Sequence, residues 1–364
     1  MKNKTIFVGL SIVVLVVLIS FLTYGNRGSS SNKNEIRIAA LLPLTGTSAI
    51  HGEYAKRGIE MAVDELKTEV NVVPVFDDTQ MDPKIAVSDF NKETQSGVNA
   101  ILSLGSPVAM AIKPLSSNSK TLLMSIVSAP AYSSPNDYTF RINGTATLEM
   151  DNILNTINDL GITKLAVVYQ NDDYGRGLLS SLKRVYDRPL SSEEGFLPDS
   201  TDMRTLLTKV KASHPDGIFV AAYAKSVGLV MKQSKDLGIK VTFICGSACD
   251  NPDLLTSGGS NADGLIIVSP TPNAHASFAD KYSSLYGEDT NFVSIRMYDA
   301  VKMIVSAVQE CQKSSDMKMC LKDQMHSVKD FPGAAFAVNF DQNGDMQDQF
   351  VQKTVKDGKI VLKK

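Results

Sequence analysis

The chain has 364 residues, with 37 lysines and arginines against 39 aspartates and glutamates, so its formal net charge is only −2. Nothing in that balance singles out a nucleic acid as partner, while 43% hydrophobic and 21% charged residues exclude disordered, collagen-like and coiled-coil chains. At roughly 100–200 residues per domain, this length calls for two domains.

Lys2 and Lys4 precede an apolar run over 6–22, and a polar stretch follows over 26–34. A basic start, an apolar middle and a polar exit read as an export signal. The run approaches the roughly 20 residues that span a bilayer, and neither an A-x-A site nor a lipid-accepting cysteine follows it. Residues 1–25 are therefore expected to be a signal peptide or an uncleaved signal anchor, and 26–35 a polar linker. Both readings put the soluble remainder at the periplasmic or extracellular face, and an anchor would tether it to the membrane.

From residue 36, short apolar runs alternate with amphipathic stretches, the pattern of βαβ construction. Residues 36–42 read as a buried parallel strand. Ala55, Ile59, Ala62, Val63 and Leu66 then share one helical face, and Glu53, Lys56, Glu60, Asp64 and Lys67 lie largely elsewhere. Strand 72–76, helix 83–94, strand 100–103, helix 107–117 and strand 122–127 nearly complete one sheet by Arg141. A second series follows: helix 145–160, strand 164–169, helices 175–186 and 203–211, strand 217–221, helix 225–237 and strands 241–244 and 264–268. Helices over 278–286 and 292–309 come next. This grammar predicts an α/β protein of two doubly wound parallel-sheet lobes, with a ligand cleft between them. Residues 335–340 and 349–355 alternate around an Asn343-Gly344 turn signal, so an antiparallel ribbon is expected there.

Leu104-Gly105-Ser106-Pro107 joins a strand to a helix. Gly105 permits close backbone approach, Ser106 suits an N-cap and Pro107 suits the first turn. A helix N-terminus aimed into the cleft can hold a carboxylate without any arginine; an ordinary cap is the plainer reading. Residues 172–177 also open a helix after a strand, but Ser180 stands where a dinucleotide fingerprint wants glycine, and Tyr174 can instead face the cleft. The stretch 341–345 lacks the spacing of a calcium loop and reads as a turn. There is no G-x-S-x-G, H-E-x-x-H or G-K-[ST] pattern, and His51, His214, His275 and His326 have no nucleophile or metal-ligand partner in sequence. Nothing points to an enzyme, a cofactor or a metal. In an oxidising compartment Cys311 and Cys320 can close a loop, and Cys245 and Cys249 a small ring. The Cys245–Cys249 segment only superficially resembles a papain-like signature, because it carries an extra residue and no aromatic follows.

Residues 36–46, Gly52-Glu53 and 57–62 closely resemble the opening of type I periplasmic solute-binding proteins, in particular the leucine/isoleucine/valine-binding proteins of ABC importers. Further matching segments are Gly105-Ser106, 138–141, 173–177, 216–219, 236–238 and 340–345, so the resemblance runs in order to the C-terminus. It implies one lobe from 36–145 and 272–331, a second from 146–271 and 332–364, and a hinge of three crossings. It also implies that the cleft closes on a small carboxylate-bearing ligand, such as an amino acid of the branched-chain kind, and that a membrane permease reads the closed form.

By the same resemblance, Ser106 falls at the carboxylate-binding position, and Ala129 at a backbone contact followed by Pro130 where a threonine is usual. Tyr174 and Tyr223 match aromatics of the second lobe, and His51 falls where a pocket-mouth aromatic often sits. The family's acidic residue for the ligand amine aligns with Ser247, three residues before Asp250. Either Asp250 substitutes for it, or the ligand is not an ordinary α-amino acid. Two other classes remain to be separated from transport: a membrane-anchored sensory ectodomain for a different small molecule, and a hydrolase, which would need a nucleophile and base that the chain does not offer.

Overall fold

The computed structural model describes residues 35–363. The apolar run 6–22, read as a signal or anchor, lies outside the described residues. Among the described residues no helix is long and apolar enough to cross a membrane.

The first lobe is built on strands β1 (Glu35–Leu42), β2 (Asn71–Asp78), β3 (Ala100–Leu104), β4 (Leu122–Ile126) and β5 (Thr139–Arg141), in the order β2-β1-β3-β4-β5. The ladders from β1 through β3 and β4 to β5 are parallel. Helices α1 (Ala49–Leu66), α2 (Pro83–Ser96) and α3 (Ser106–Ser119) connect the early strands. Local chemistry sets their ends. The Asp82 side chain accepts from Lys84 N at the start of α2, Pro83 takes the first helical position, and Gly97 ends the helix at a left-handed φ of 82°.

The second lobe carries β6 (Leu165–Gln170), β7 (Ser192–Phe196), β8 (Gly217–Ala221), β9 (Thr242–Cys245) and β10 (Ile266–Pro270) in parallel. Its helices are α4 (Ala146–Asp159), α5 (Asp173–Val185), α6 (Arg204–Ala212), α7 (Ala224–Asp236) and α8 (Asp253–Gly258). The chain then returns to the first lobe through α9 (Ala276–Tyr286), α10 (Phe292–Cys311) and α11 (Met317–His326). Sixteen of the 20 residues of α10 are buried, which is why its apolar pattern wraps the whole helix rather than one stripe. It lies against α1 at Gly58, where a Cβ would stand 2.1 Å from Ser294 O, so only glycine permits that approach.

The chain end departs from the expected ribbon. The Asn343-Gly344 turn forms, with Asp341 N bonded to Asp345 O at 2.9 Å and Gly344 at a φ of 84°. Its arms, however, part company. On one side β11 (Phe331–Pro332) pairs with β12 (Ala337–Val338), and Val338, Phe340 and Met346 enter the first lobe's core. On the other side β13 (Phe350–Lys356) pairs antiparallel with β10 and with β14 (Lys359–Leu362) in the second sheet. The third crossing therefore falls near 347–349 rather than at 332, because burial of Phe340 and Met346 holds the intervening chain on the first lobe. Strands β5 and β7 carry no sequence signal of their own: β5 has only three residues, and β7 is an edge strand of alternating polar exposure.

Two buried arginines brace the crossings. Arg141 donates from Nε to Asp345 Oδ1 at 2.7 Å, from Nη2 to Ala129 O at 2.9 Å and from Nη1 to Val127 O. Arg296 donates to Asp348 Oδ1 at 2.7 Å, and the other oxygen of Asp348 accepts from Gly144 N at 3.0 Å. One carboxylate thus joins α10, the first crossing and the third.

A candidate ligand cleft between the lobes

The cleft lies where the carboxyl ends of β3, β4, β6, β8 and β9 face one another, the usual site for a ligand on parallel sheets. Its first-lobe wall begins at the N-terminus of α3. Gly105, at a φ of 100°, occupies the N-cap and Ser106 is the first helical residue, with no side-chain cap bond. Ser106 is therefore not the N-cap expected from the sequence. Its hydroxyl is free of the helix end and accepts instead from Ser128 N at 3.3 Å. The loop after β4 that carries Ser128 is held by the Arg141 guanidinium through Val127 O and Ala129 O. This wall offers hydroxyls and helix-end N–H groups and carries no charged side chain of its own.

The second-lobe wall is built on the short turn Ser247–Cys249, which the Cys245–Cys249 disulfide closes. Cys311 and Cys320 are also bonded, tying the end of α10 to α11 far from the cleft. Against the turn lies Glu149, 1% exposed, whose Oε1 accepts from Ser247 N at 2.6 Å. Burial holds its carboxyl above the usual carboxylate range, and the bond from the Ser247 N–H opposes that shift only in part. Tyr174 Oη accepts from Ala248 N at 3.3 Å, and its ring lies 5.0 Å from that of Tyr223. Burial raises both phenols, Tyr174 further because Glu149 is beside it. The buried Tyr223 hydroxyl has no partner among the described residues, an arrangement that a ligand group can complete.

His51, on α1 of the first lobe, reaches across to the second. Asn251 Oδ1 accepts from Asp253 N at 2.9 Å, which orients the amide so that Nδ2 donates to His51 Nε2 at 2.8 Å. That nitrogen is then an acceptor, and its 3.3 Å approach to Ala248 O is a contact rather than a second bond. Burial lowers the His51 pKa, so the ring is neutral in this arrangement. The cavity enclosed between the walls is about 40 Å³, well below the roughly 300–1,000 Å³ of ordinary ligand pockets. The lobes are therefore drawn together here. Tyr223 also lines a larger pocket of about 620 Å³ between the lobes, beside Ser48, Met81 and Asp172.

Of the residues singled out from the sequence, the structure brings His51, Ser106, Tyr174, Tyr223 and Ser247 to one cavity. It does not bring Ala129 there; the Ala129 carbonyl is taken by Arg141 and its Cα faces Gly177 across the lobes. Nor does it bring Asp250, whose Oδ2 accepts from Lys353 Nζ and Ser269 Oγ, each at 2.6 Å. Asp250 is thus ion-paired inside the second lobe and does not line the cavity beside Ser247. Glu149, Ser128 and Asn143 escaped the sequence reading. Glu149 did leave a signal: with Ala146, Met150, Ile153 and Ile157 it falls on the buried face of α4, where an acidic residue is out of place.

The fold and the cleft define a two-lobed solute-binding protein. A periplasmic binding protein family model matches residues 35–359, and the chain belongs to that family. A Brucella melitensis protein named Leu/Ile/Val-binding protein homolog 3 is 25% identical over 350 residues, covering 90% of this chain and 93% of that protein. The leucine-, isoleucine-, valine-, threonine- and alanine-binding protein of Pseudomonas aeruginosa is 21% identical over 335 residues, 86% of this chain and 87% of that one. The crystal structure of a leucine-binding protein from Thermotoga maritima superposes with a TM-score of 0.83 at 21% identity, over 90% of this chain and 98% of that one. The substrate-binding protein of a branched-chain amino acid transporter from Streptococcus pneumoniae, solved with isoleucine, gives 0.80 at 22% identity, over 90% and 97%. These likenesses confirm the type I periplasmic binding fold.

Proposed function

We propose that this chain is the extracytoplasmic receptor of an ABC-type importer and that it captures a small carboxylate-bearing ligand, an amino acid of the branched-chain kind, by closing its lobes. The observation that carries the reading is Ser106 at the first position of α3, facing Tyr174 and Tyr223 across the cavity. A helix N-terminus with an adjacent hydroxyl holds an anion without a basic side chain, in keeping with the near-neutral charge of the chain. Leu104, Phe292 and Val293 supply an apolar side to the same cavity, suited to an aliphatic group. The names of the relatives from Brucella and Pseudomonas point the same way. Because the cavity is small, the ligand enters a more open form, and closure over it is the state that a permease would read.

A thermal-shift panel of aliphatic amino acids and small organic acids tests the reading. A ligand that binds only the folded chain raises the melting temperature, by about 2.7 kcal/mol of added stability at a hundredfold excess over Kd. No shift with any compound at high concentration would remove it. Transport is tested separately, by loss of uptake of the stabilising compound in cells lacking the gene.

A further inference from the structure

Glu149 is a buried carboxyl that no basic side chain answers. Among the described residues it makes no ion pair; its hydrogen-bond partner is the Ser247 N–H, a group that carries no charge. A buried carboxyl in such surroundings pays a large desolvation penalty as an anion, and burial does hold its proton more tightly than usual. Its placement is specific. Ser247 belongs to the second lobe, Ser128 to the first, and both line the cavity, as does Tyr174, whose phenol feels the Glu149 charge. The turn makes room for the carboxyl at Gly246, where a Cβ would stand 2.5 Å from Oε1. The other acidic candidate near the turn, Asp250, is already paired with Lys353 at 2.6 Å.

We propose that Glu149 is the ligand's counter-charge: it receives a cationic group, such as a primary ammonium, so that the cleft selects a zwitterion over a simple carboxylic acid. This rests on the carboxylate-capture reading above and extends it to the other end of the ligand. Ser106 and the end of α3 meet the anion on one lobe, and Glu149 meets the cation where the two lobes close. When the cation arrives, the carboxyl gains the charged partner that the empty cleft lacks.

The test is calorimetry on the ligand-free full chain with two probes: L-leucine, and 4-methylpentanoate, which is leucine without its amine. The wild-type chain is expected to bind leucine at least about tenfold more tightly than the analogue. Glu149→Gln should bring the two affinities together, an outcome that a purely structural role for Glu149 would not produce, since that would weaken both probes alike. The wild-type comparison needs no variant, so it stands even if Glu149→Gln folds poorly. Equal wild-type affinity for the two probes, or an unchanged ratio in Glu149→Gln, overturns the assignment while leaving carboxylate capture intact. Binding of neither probe overturns both.

Discussion

The two walls of the cleft solve the same problem with different chemistry. The first-lobe wall is neutral: Ser106, Ser128 and the end of α3 present hydroxyls and backbone N–H groups, and its one nearby charge, Arg141, is turned inward onto Asp345 and two carbonyls. The second-lobe wall holds a buried carboxyl and two phenols around a disulfide-closed turn. The contrast is one of desolvation cost: the dipole of a helix end is spread over several peptides, whereas a buried carboxyl pays heavily as an anion until a cation meets it.

Breaking the first wall at its support should have the largest effect. Arg141→Ala removes the guanidinium from a fully buried site, leaves Asp345 without its cation and takes the Arg141 donors from the carbonyls of Val127 and Ala129; a loss of about 3–5 kcal/mol in unfolding free energy is expected from urea titration. A loss below about 1 kcal/mol would mean that the loop after β4 holds itself. Next comes the second wall. Gly246→Ala puts a Cβ 2.5 Å from Glu149 Oε1 and 3.1 Å from Tyr174 Oη, and the displaced turn should weaken binding of leucine, or of whichever panel compound stabilises the chain, by about 1–3 kcal/mol. Unchanged affinity would detach the turn from the site.

Ser106→Ala probes the first wall directly. It should weaken the same ligand by about 1–2 kcal/mol with little change in melting temperature, and by the same factor for leucine and its amine-free analogue. A selective loss for leucine alone would reverse the assignment of poles.

The smallest effect concerns the bond that holds the walls together. Burial keeps the His51 pKa below 6.5, opposed by Ala248 O and by Asp250 and Asp253, which face the ring. Above that pH the ring is neutral whether the chain is folded or not, and the contact with Asn251 is intact. As the pH falls, the unfolded or opened chain takes up the proton first, so stability declines with acidification. His51→Gln should flatten that part of a melting-temperature profile. Glu149 has the opposite sign, since a raised carboxyl costs stability as the pH rises; Glu149→Gln should therefore raise the melting temperature at neutral pH and leave it unchanged in acid.

Much of this was legible in the residues. Alternation of apolar runs with amphipathic stretches is a local property, and it located both series of strands and helices, the start of α3 at Gly105 and Ser106, and the tyrosines at the ends of β6 and β8. Both disulfides were within reach of the spacing of the cysteines. Two kinds of element left no such trace. Strand β7, Ser-Glu-Glu-Gly-Phe, is an edge strand defined by its neighbour rather than by its own apolar content. The arms beyond Asn343-Gly344 alternate like a hairpin, yet Phe340 belongs to one core and β13 to the other sheet.

The sequence by itself determined the class of fold and the strand-to-helix junction at Gly105, Ser106 and Pro107, because glycine, serine and proline in that order carry their own geometry. Only the tertiary structure decided the rest. Asp250 and Glu149 are chemically equivalent carboxylates when read along the chain. What separates them is that Lys353, 103 residues from Asp250, arrives to neutralise one, while the turn at Ser247, 98 residues from Glu149, meets the other with an uncharged N–H. Charge compensation across such distances depends on which surfaces pack together, and local periodicity carries no record of it.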